Sequence, residues 1–295
     1  MPIDLGIATP AVPRDPRALD DRFGKWAADL GVTVLGTHLG PTPEDVMPHA
    51  AELRERLAGW GLTIVQATGY NPIMVGDAAD RRAADLERLT RAFEVARLLG
   101  SQMVLTGCGS YHPSHHYGPH PRNHSPEARE QIVQFLRPAA RRAEELGVVL
   151  ALECHMITAL DTPAHIREIV DAVGSSSIRV NFDPVNLLSS VDAVFSSGAE
   201  MAAMLAELGP RYHWTAHAKD VLIEPRLALH LEETVCGDGL LDWPGYLGCA
   251  EQLGSPARPA AVLVEHMPAF LARRGLTFLR AQAITAGVTI VGRSS

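Results

Sequence analysis

The chain lacks any run of 18 uncharged apolar residues, so no membrane-spanning helix is expected. Basic residues are also scarce: 26 Lys and Arg stand against 34 Asp and Glu, a formal charge of −8. With no basic stripe, non-specific binding to a nucleic-acid backbone is not expected. Its four cysteines, Cys108, Cys154, Cys236 and Cys249, are scattered and form no CxxC pair. They read as free thiols in a reducing cytoplasm, not as a disulfide frame or a zinc finger. The opening stretch MPIDLGIATP puts no basic leader before an apolar core, so it is not read as a signal peptide and a cytoplasmic location is expected.

What is present is a repeated alternation in 295 residues of 46% hydrophobic content. Strand-like runs near 3–8, 32–38, 62–70, 102–108, 148–155, 178–184, 212–220 and 260–266 are each followed by a segment of helical period. The helices are expected near 17–30, 43–59, 78–99, 127–146, from 163, 192–208, 243–253 and 269–285. Phe23, Trp26, Ala27 and Leu30 mark the buried stripe of the first; Leu86, Leu89, Phe93, Ala96 and Leu99 mark that of the third. Thr162 followed by Pro163 is a helix start. The strands are nearly continuous apolar runs, as expected where helices cover one face and a packed interior backs the other. Eight such units predict an α/β fold, a single (β/α)8 TIM barrel over residues 1–295. The competing doubly wound sheet lacks its glycine fingerprint, because the first strand runs into ATPAVPRDP. CGDGLLDW at 236–243 follows no strand directly and is not a phosphate loop.

In a barrel the C-terminal strand ends face the site. Four strands of the second half finish in reactive groups: Glu153 in LALECH, Asp183 in VNFDP, His217 in TAHAKD and Glu265 in LVEHM. Any one alone reads equally well as an ion pair at the barrel mouth. Together, three enclosed carboxylates would repel one another, and a divalent cation removes that repulsion. Three oxygens and one nitrogen suit manganese first, then magnesium or cobalt, with zinc less favoured.

With LALECH (150–155), VNFDPVNL (180–187), HAKD (217–220), GDGLLDW (237–243) and VEHM (264–267), the chain resembles the xylose isomerase-like barrel superfamily. It is especially similar to the branch of tagatose and psicose 3-epimerases, hydroxypyruvate isomerase and inosose dehydratase. RAFEVARLLGSQMV (91–104) shares that likeness, which covers essentially the whole chain. The resemblance implies one divalent ion held by Glu153, Asp183, His217 and Glu265. It also implies that Glu153 and Glu265 exchange protons with the carbon beside a carbonyl. Asn186 departs from the family pattern, since many members carry histidine there; asparagine can hydrogen-bond a substrate hydroxyl, and is a candidate substrate contact, but is a poor ligand for a second metal, which weakens a multi-zinc endonuclease reading. Arg226, nine residues past His217, is a candidate substrate contact in place of an arginine that some epimerases carry nearer.

Five histidines, His112, His115, His116, His120 and His124, crowd the segment 107–128, where Pro113, Pro119, Pro121 and Pro126 oppose regular structure. This His-rich loop, about 108–126, starts on the catalytic rim. It reads either as an exposed loop or subunit contact, or as a lid bringing Tyr111, His112, His116 and Tyr117 to substrate. His155, two residues past Glu153, shares its face if the strand extends that far, and is a candidate catalytic histidine. His266 is expected to point away from Glu265, and His38 to reach the rim. Lys219 is a partner for a carboxylate or a ligand oxygen, but not for its neighbour Asp220. GDGLLDW is expected to frame the site, with Trp243 anchoring the following helix.

Two reactions fit. One is isomerisation or epimerisation of a free sugar by proton transfer beside a carbonyl. The other is a lyase that eliminates a β-substituent from a keto-sugar, as in inosose dehydratase or the similar C-glycoside deglycosidase catalytic subunits. A non-catalytic or DNA-acting barrel would leave the four ligand-type residues without a purpose. The partners implied by the resemblance are a sugar or keto-glycoside, and a second copy of the chain in a homo-oligomer. A small β subunit replaces the second copy if the chain is a C-glycoside deglycosidase.

Overall fold

The computed structural model describes residues 1–68, 71–76 and 78–291. Its strands are β1 Ile3–Ile7, β2 Val34–His38, β3 Thr63–Thr68, β4 Met103–Thr106, β5 Val149–Leu152, β6 Ile178–Phe182, β7 Tyr212–Ala218, β8 Asp220–Ile223, β9 Leu231–Thr234, β10 Ala260–Val264 and β11 Ile290–Val291. The helices are α1 Asp21–Leu30, α2 Pro43–Val46, α3 Ala50–Gly59, α4 Ala79–Leu99, α5 Pro126–Leu146, α6 Pro163–Val173, α7 Val191–Phe195, α8 Ser197–Leu208, α9 Trp243–Ala250 and α10 Ala269–Ala286. Strands β1 to β7 and β10 run parallel, and β1 pairs with β10 from Ile3 opposite Ala260 to Ile7 opposite Val264. That pairing closes an eight-stranded (β/α)8 TIM barrel. Among the described residues no helix is long and apolar enough to cross a membrane.

The two-residue period of the strands divides the apolar residues between two layers. Ala8, Val34, Val65, Ala261 and Leu263 pack together inside the barrel, and Met103, Leu105 and Ala151 form a second interior group. The alternate residues, among them Leu35, Ile64, Val104, Leu150 and Val262, join the larger core under the helices. Each fully buried aliphatic side chain contributes about 1.5–3 kcal/mol. The inward series 151, 181, 215 and 263 arrives two residues on at Glu153, Asp183 and Glu265, each just past its strand, and at His217 near the end of β7.

Several expected elements differ in detail. Helix 43–59 is two pieces, α2 and α3, because Pro48 lacks an N–H and a 3-10 turn at Met47–His49 intervenes. The first helix starts only at Asp21, capped by Asp20, whose carboxylate accepts from Phe23 N at 3.0 Å. Segment 192–208 divides at Ser196 into α7 and α8. The long connection after β7 contains an antiparallel hairpin, β8–β9, which the sequence reading left without structure. Strand β3 reaches Thr68, and the last two residues expected in it, Gly69 and Tyr70, lie outside the described residues.

Candidate metal centre and catalytic cavity

The interior series brings one ligand atom each of Glu153, Asp183, His217 and Glu265 to within 4.8 Å of one another. Nδ1 of His217 lies 2.9 Å from Oε2 of Glu265 and 3.2 Å from Oδ2 of Asp183. The other ring nitrogen, Nε2, lies 2.8 Å from Oε1 of Gln66. Gln66 Nε2 donates to Thr68 Oγ1 at 3.2 Å, which aims the amide oxygen at the histidine. Lys219 is buried with its ammonium 2.8 Å from Asp183, 3.4 Å from Glu265 and 3.3 Å from Glu233 on β9. Tyr117 donates to Oε2 of Glu153 at 2.6 Å.

Electrostatics sort these groups. Burial alone would lower His217, but the charge of Glu265 and hydrogen bonds to Asp183 and Glu265 hold it up at about 10. Burial likewise opposes the charge on Lys219, yet Asp183 and Glu265 keep it well above its usual range. Glu265 resists the upward push of burial because His217 and Lys219 hold it well below the ordinary carboxylate range. Glu153 is pushed up, by burial first and then by repulsion from Glu265.

The donor set fits a divalent cation. Oδ1 of Asp183 is buried without any hydrogen-bond partner, a costly condition for a carboxylate oxygen. Gln66 occupies Nε2 and leaves Nδ1 to face the carboxylates, the orientation that an outer partner gives a metal-binding histidine.

A cavity of about 570 Å3 opens above these residues, within the usual range for small-molecule sites of roughly 300–1,000 Å3. It is lined by Glu153, His155, Asn186, Lys219, Glu233 and Glu265, with Tyr117, His38, His266, Thr9 and Arg14. His155 reaches it although β5 ends at Leu152; its ring lies 5.9 Å from that of Tyr117, and burial lowers its pKa. Asn186 donates to Oδ2 of Asp183 at 2.9 Å, so it supports a ligand. His266 does not follow the expected alternation. The strand ends at Val264, and His266 takes a φ of 52°, sparsely populated for a non-glycine residue. Its Nδ1 lies 2.8 Å from Glu233 at the cavity wall.

The His-rich loop is divided. Tyr117 enters the cavity, whereas Tyr111 and His112 line a separate recess with Arg81, Arg82 and Arg122. His116 lies outside the lining; burial lowers it to about 4, and its Nε2 has no partner. Asn123 organises the loop, donating to the carbonyls of Gly118 at 3.0 Å and Ile157 at 2.7 Å. His124 and His165 share Asp161 at 2.7 and 2.8 Å. Arg226 sits exposed between β8 and β9, paired with Glu224 and away from the cavity. Sequence reasoning passed over Gln66, Glu233, Thr9 and Arg14.

GDGLLDW serves Asp220. That buried carboxylate accepts from the backbone of Val221, Gly237 and Leu241 and from Trp243 Nε1, at 2.9 to 3.0 Å. A Cβ at Gly239 would lie 2.3 Å from Asp220 Oδ1, which requires glycine there.

A family model described as xylose isomerase-like TIM barrel matches residues 25–282. No curated protein sequence matches the chain significantly. Among solved structures, an L-ribulose 3-epimerase superposes with a TM-score of 0.71 at 16% identity, covering 97% of this chain and 96% of its own. A xylose isomerase-like TIM-barrel protein from Mycobacterium smegmatis in complex with magnesium gives 0.69 at 16%, covering 97% of both chains. The apo form of a 3-keto-D-glucoside 4-epimerase from E. coli gives 0.66 at 16%, covering 95% of this chain and 99% of its own. At these identities the likeness is one of fold.

Proposed function

The chain belongs to the xylose isomerase-like TIM-barrel family, and we propose that it is a divalent-metal-dependent sugar isomerase or epimerase. The observation that carries this reading is the convergence of Glu153, Asp183, His217 and Glu265 from four successive barrel strands, with Asp183 Oδ1 left unpartnered. These four residues would hold the ion, manganese first by the hardness of the donor set. When bound, the ion supplies positive charge that offsets the negative charge growing on the substrate's carbonyl oxygen.

The remaining chemistry belongs to the side chains. Glu153 and Glu265 approach from β5 and β10, on different sides of the ring of strands, so a sugar carbon between them is reached from both faces. One carboxylate takes the proton from the carbon beside the carbonyl, and the other returns a proton to it. Tyr117 holds one oxygen of Glu153 and limits how that carboxylate turns. His155 and Asn186 offer hydrogen bonds to substrate hydroxyls from the same wall.

One observation favours a second reading, elimination from a keto-glycoside. The rings of Tyr117 and His155, 5.9 Å apart, line the cavity together with the carboxylates and would suit an aromatic group carried by the sugar.

Metal analysis of protein purified without added metal, beside a Glu265→Gln variant, tests the premise. About one divalent ion per chain, lost in the variant, is expected; none in either sample after manganese soaking overturns the reading. Exchange of a sugar C–H in deuterated water without loss of a group then identifies the isomerase. Release of an aglycone from a keto-glycoside identifies the lyase.

A further inference from the structure

Two groups on the connection between β1 and α1 line the cavity and play no part in the chemistry above. Thr9 Oγ1 is buried with no hydrogen-bond partner. The Thr9 carbonyl accepts from His266 N at 3.2 Å, which fixes this residue beside Glu265. Arg14 lines the same cavity, and its carbonyl accepts from Gly40 N at 3.1 Å.

The nearby acids are already engaged. Asp15 is gripped by Arg17 at 2.6 Å, Glu265 by His217 and Lys219, and Glu233 by Lys219 and His266. Among the described residues Arg14 pairs with no carboxylate. Its neighbour His38 is held neutral, at about 4, by burial and by the charge of Arg14 itself. In a ring of eight strands β1 stands across from β5, so this wall faces the one that carries Glu153. The cavity therefore holds, across from Glu153 and on the wall next to Glu265, an uncommitted guanidinium. A guanidinium in that position matches a carboxylate or phosphate through parallel N–H bonds.

We propose that the substrate is an anionic sugar, a polyhydroxy carbonyl compound whose terminal carboxylate or phosphate is received by Arg14. Thr9 Oγ1 bonds a further oxygen of the same molecule, while its reactive end lies between Glu153 and Glu265. The assignment rests on the isomerase reading for the placement of the reactive end.

Calorimetric binding to the manganese-loaded protein tests it with three unreactive probes of one chain length: sorbitol, gluconate and sorbitol 6-phosphate. At least one anion should bind ten times more tightly than sorbitol. Arg14→Gln, at an exposed position, should remove that advantage and leave sorbitol unchanged. Whichever anion gains identifies carboxylate or phosphate. Sorbitol binding as tightly as both anions, a preference that survives Arg14→Gln through direct chelation, or no binding by any probe overturns the proposal. Failure of the isomerase reading shows separately, as absence of C–H exchange in every sugar offered.

Discussion

Nε2 of His217 lies 2.8 Å from Oε1 of Gln66, so the nitrogen turned toward Asp183 and Glu265 is Nδ1. Without metal that nitrogen is protonated: burial opposes the charge, but Glu265 and Asp183 hold the ring up at about 10. An incoming divalent ion must therefore displace a proton, and its affinity should rise as pH rises toward 10. Calorimetry in buffers of different ionisation enthalpy should show about one proton released per ion at pH 7. Gln66→Leu should weaken manganese binding about 10- to 100-fold. Unchanged affinity in that variant would show that Gln66 does not orient the ligand.

Lys219 carries the second test of the metal centre. Its ammonium is the buried counter-charge to Asp183, Glu265 and Glu233. Removing one partner from a buried ionic group typically costs about 3–5 kcal/mol. Lys219→Met should lower the thermal midpoint of the metal-free protein, and saturating manganese should recover much of the loss, because the ion supplies the missing positive charge. An equal loss with and without manganese would mean that the lysine acts only through packing.

The barrel and the four ligand-type residues were legible because both follow from a period of two along each strand. Apolar runs fixed the strands, and the same inward series, followed to the C-terminal end of each strand or just past it, named Glu153, Asp183, His217 and Glu265. Gln66 was not legible, because simple alternation turns Val65 and Gln66 to opposite faces. In the fold Leu35 pairs with Ile64 and Gly36 with Gln66, leaving Val65 as the extra residue of a bulge. Val65 then packs in the interior while Gln66 reaches His217. Glu233 was hidden for a different reason: it reaches the site from a hairpin inside a connection with no strong periodicity. From the His-rich loop it is Tyr117 that lines the cavity, while His124 bonds Asp161, a division that the loop's composition does not encode.

Asp220 offers a test of the frame beneath the site. Its two oxygens accept four N–H groups, each buried or partly buried. Asp220→Asn replaces one acceptor oxygen by an NH2 group that must face donors. A hydrogen bond to a charged group contributes about 1.5–3 kcal/mol, so the variant should lose about 2–4 kcal/mol of unfolding free energy. Urea titration measures it. A change below about 0.5 kcal/mol would mean that the loop repacks without its anchor.

Stability should also fall in mild acid, before the carboxylates titrate. Burial holds His38 and His116 at about 4 and His213 at about 3, against an ordinary value of 6.5. Folded, these rings stay neutral where the unfolded chain takes up protons. Their contribution is therefore complete above pH 6.5 and is lost progressively as pH falls toward 4 and then 3. Each unit of pH in that window costs about 1.4 kcal/mol per fully affected group. Between pH 6.5 and 5 ordinary carboxylates, near 3.9 to 4.3, remain ionised in the unfolded chain, so a decline there belongs to the histidines. Urea titrations of the metal-free protein at pH 7 and 5 should differ by a few kcal/mol. His213→Gln, which keeps a polar group near Thr215, should flatten that decline. A decline as steep in His213→Gln as in the parent would show that this ring is solvated enough in the folded state to take up protons freely.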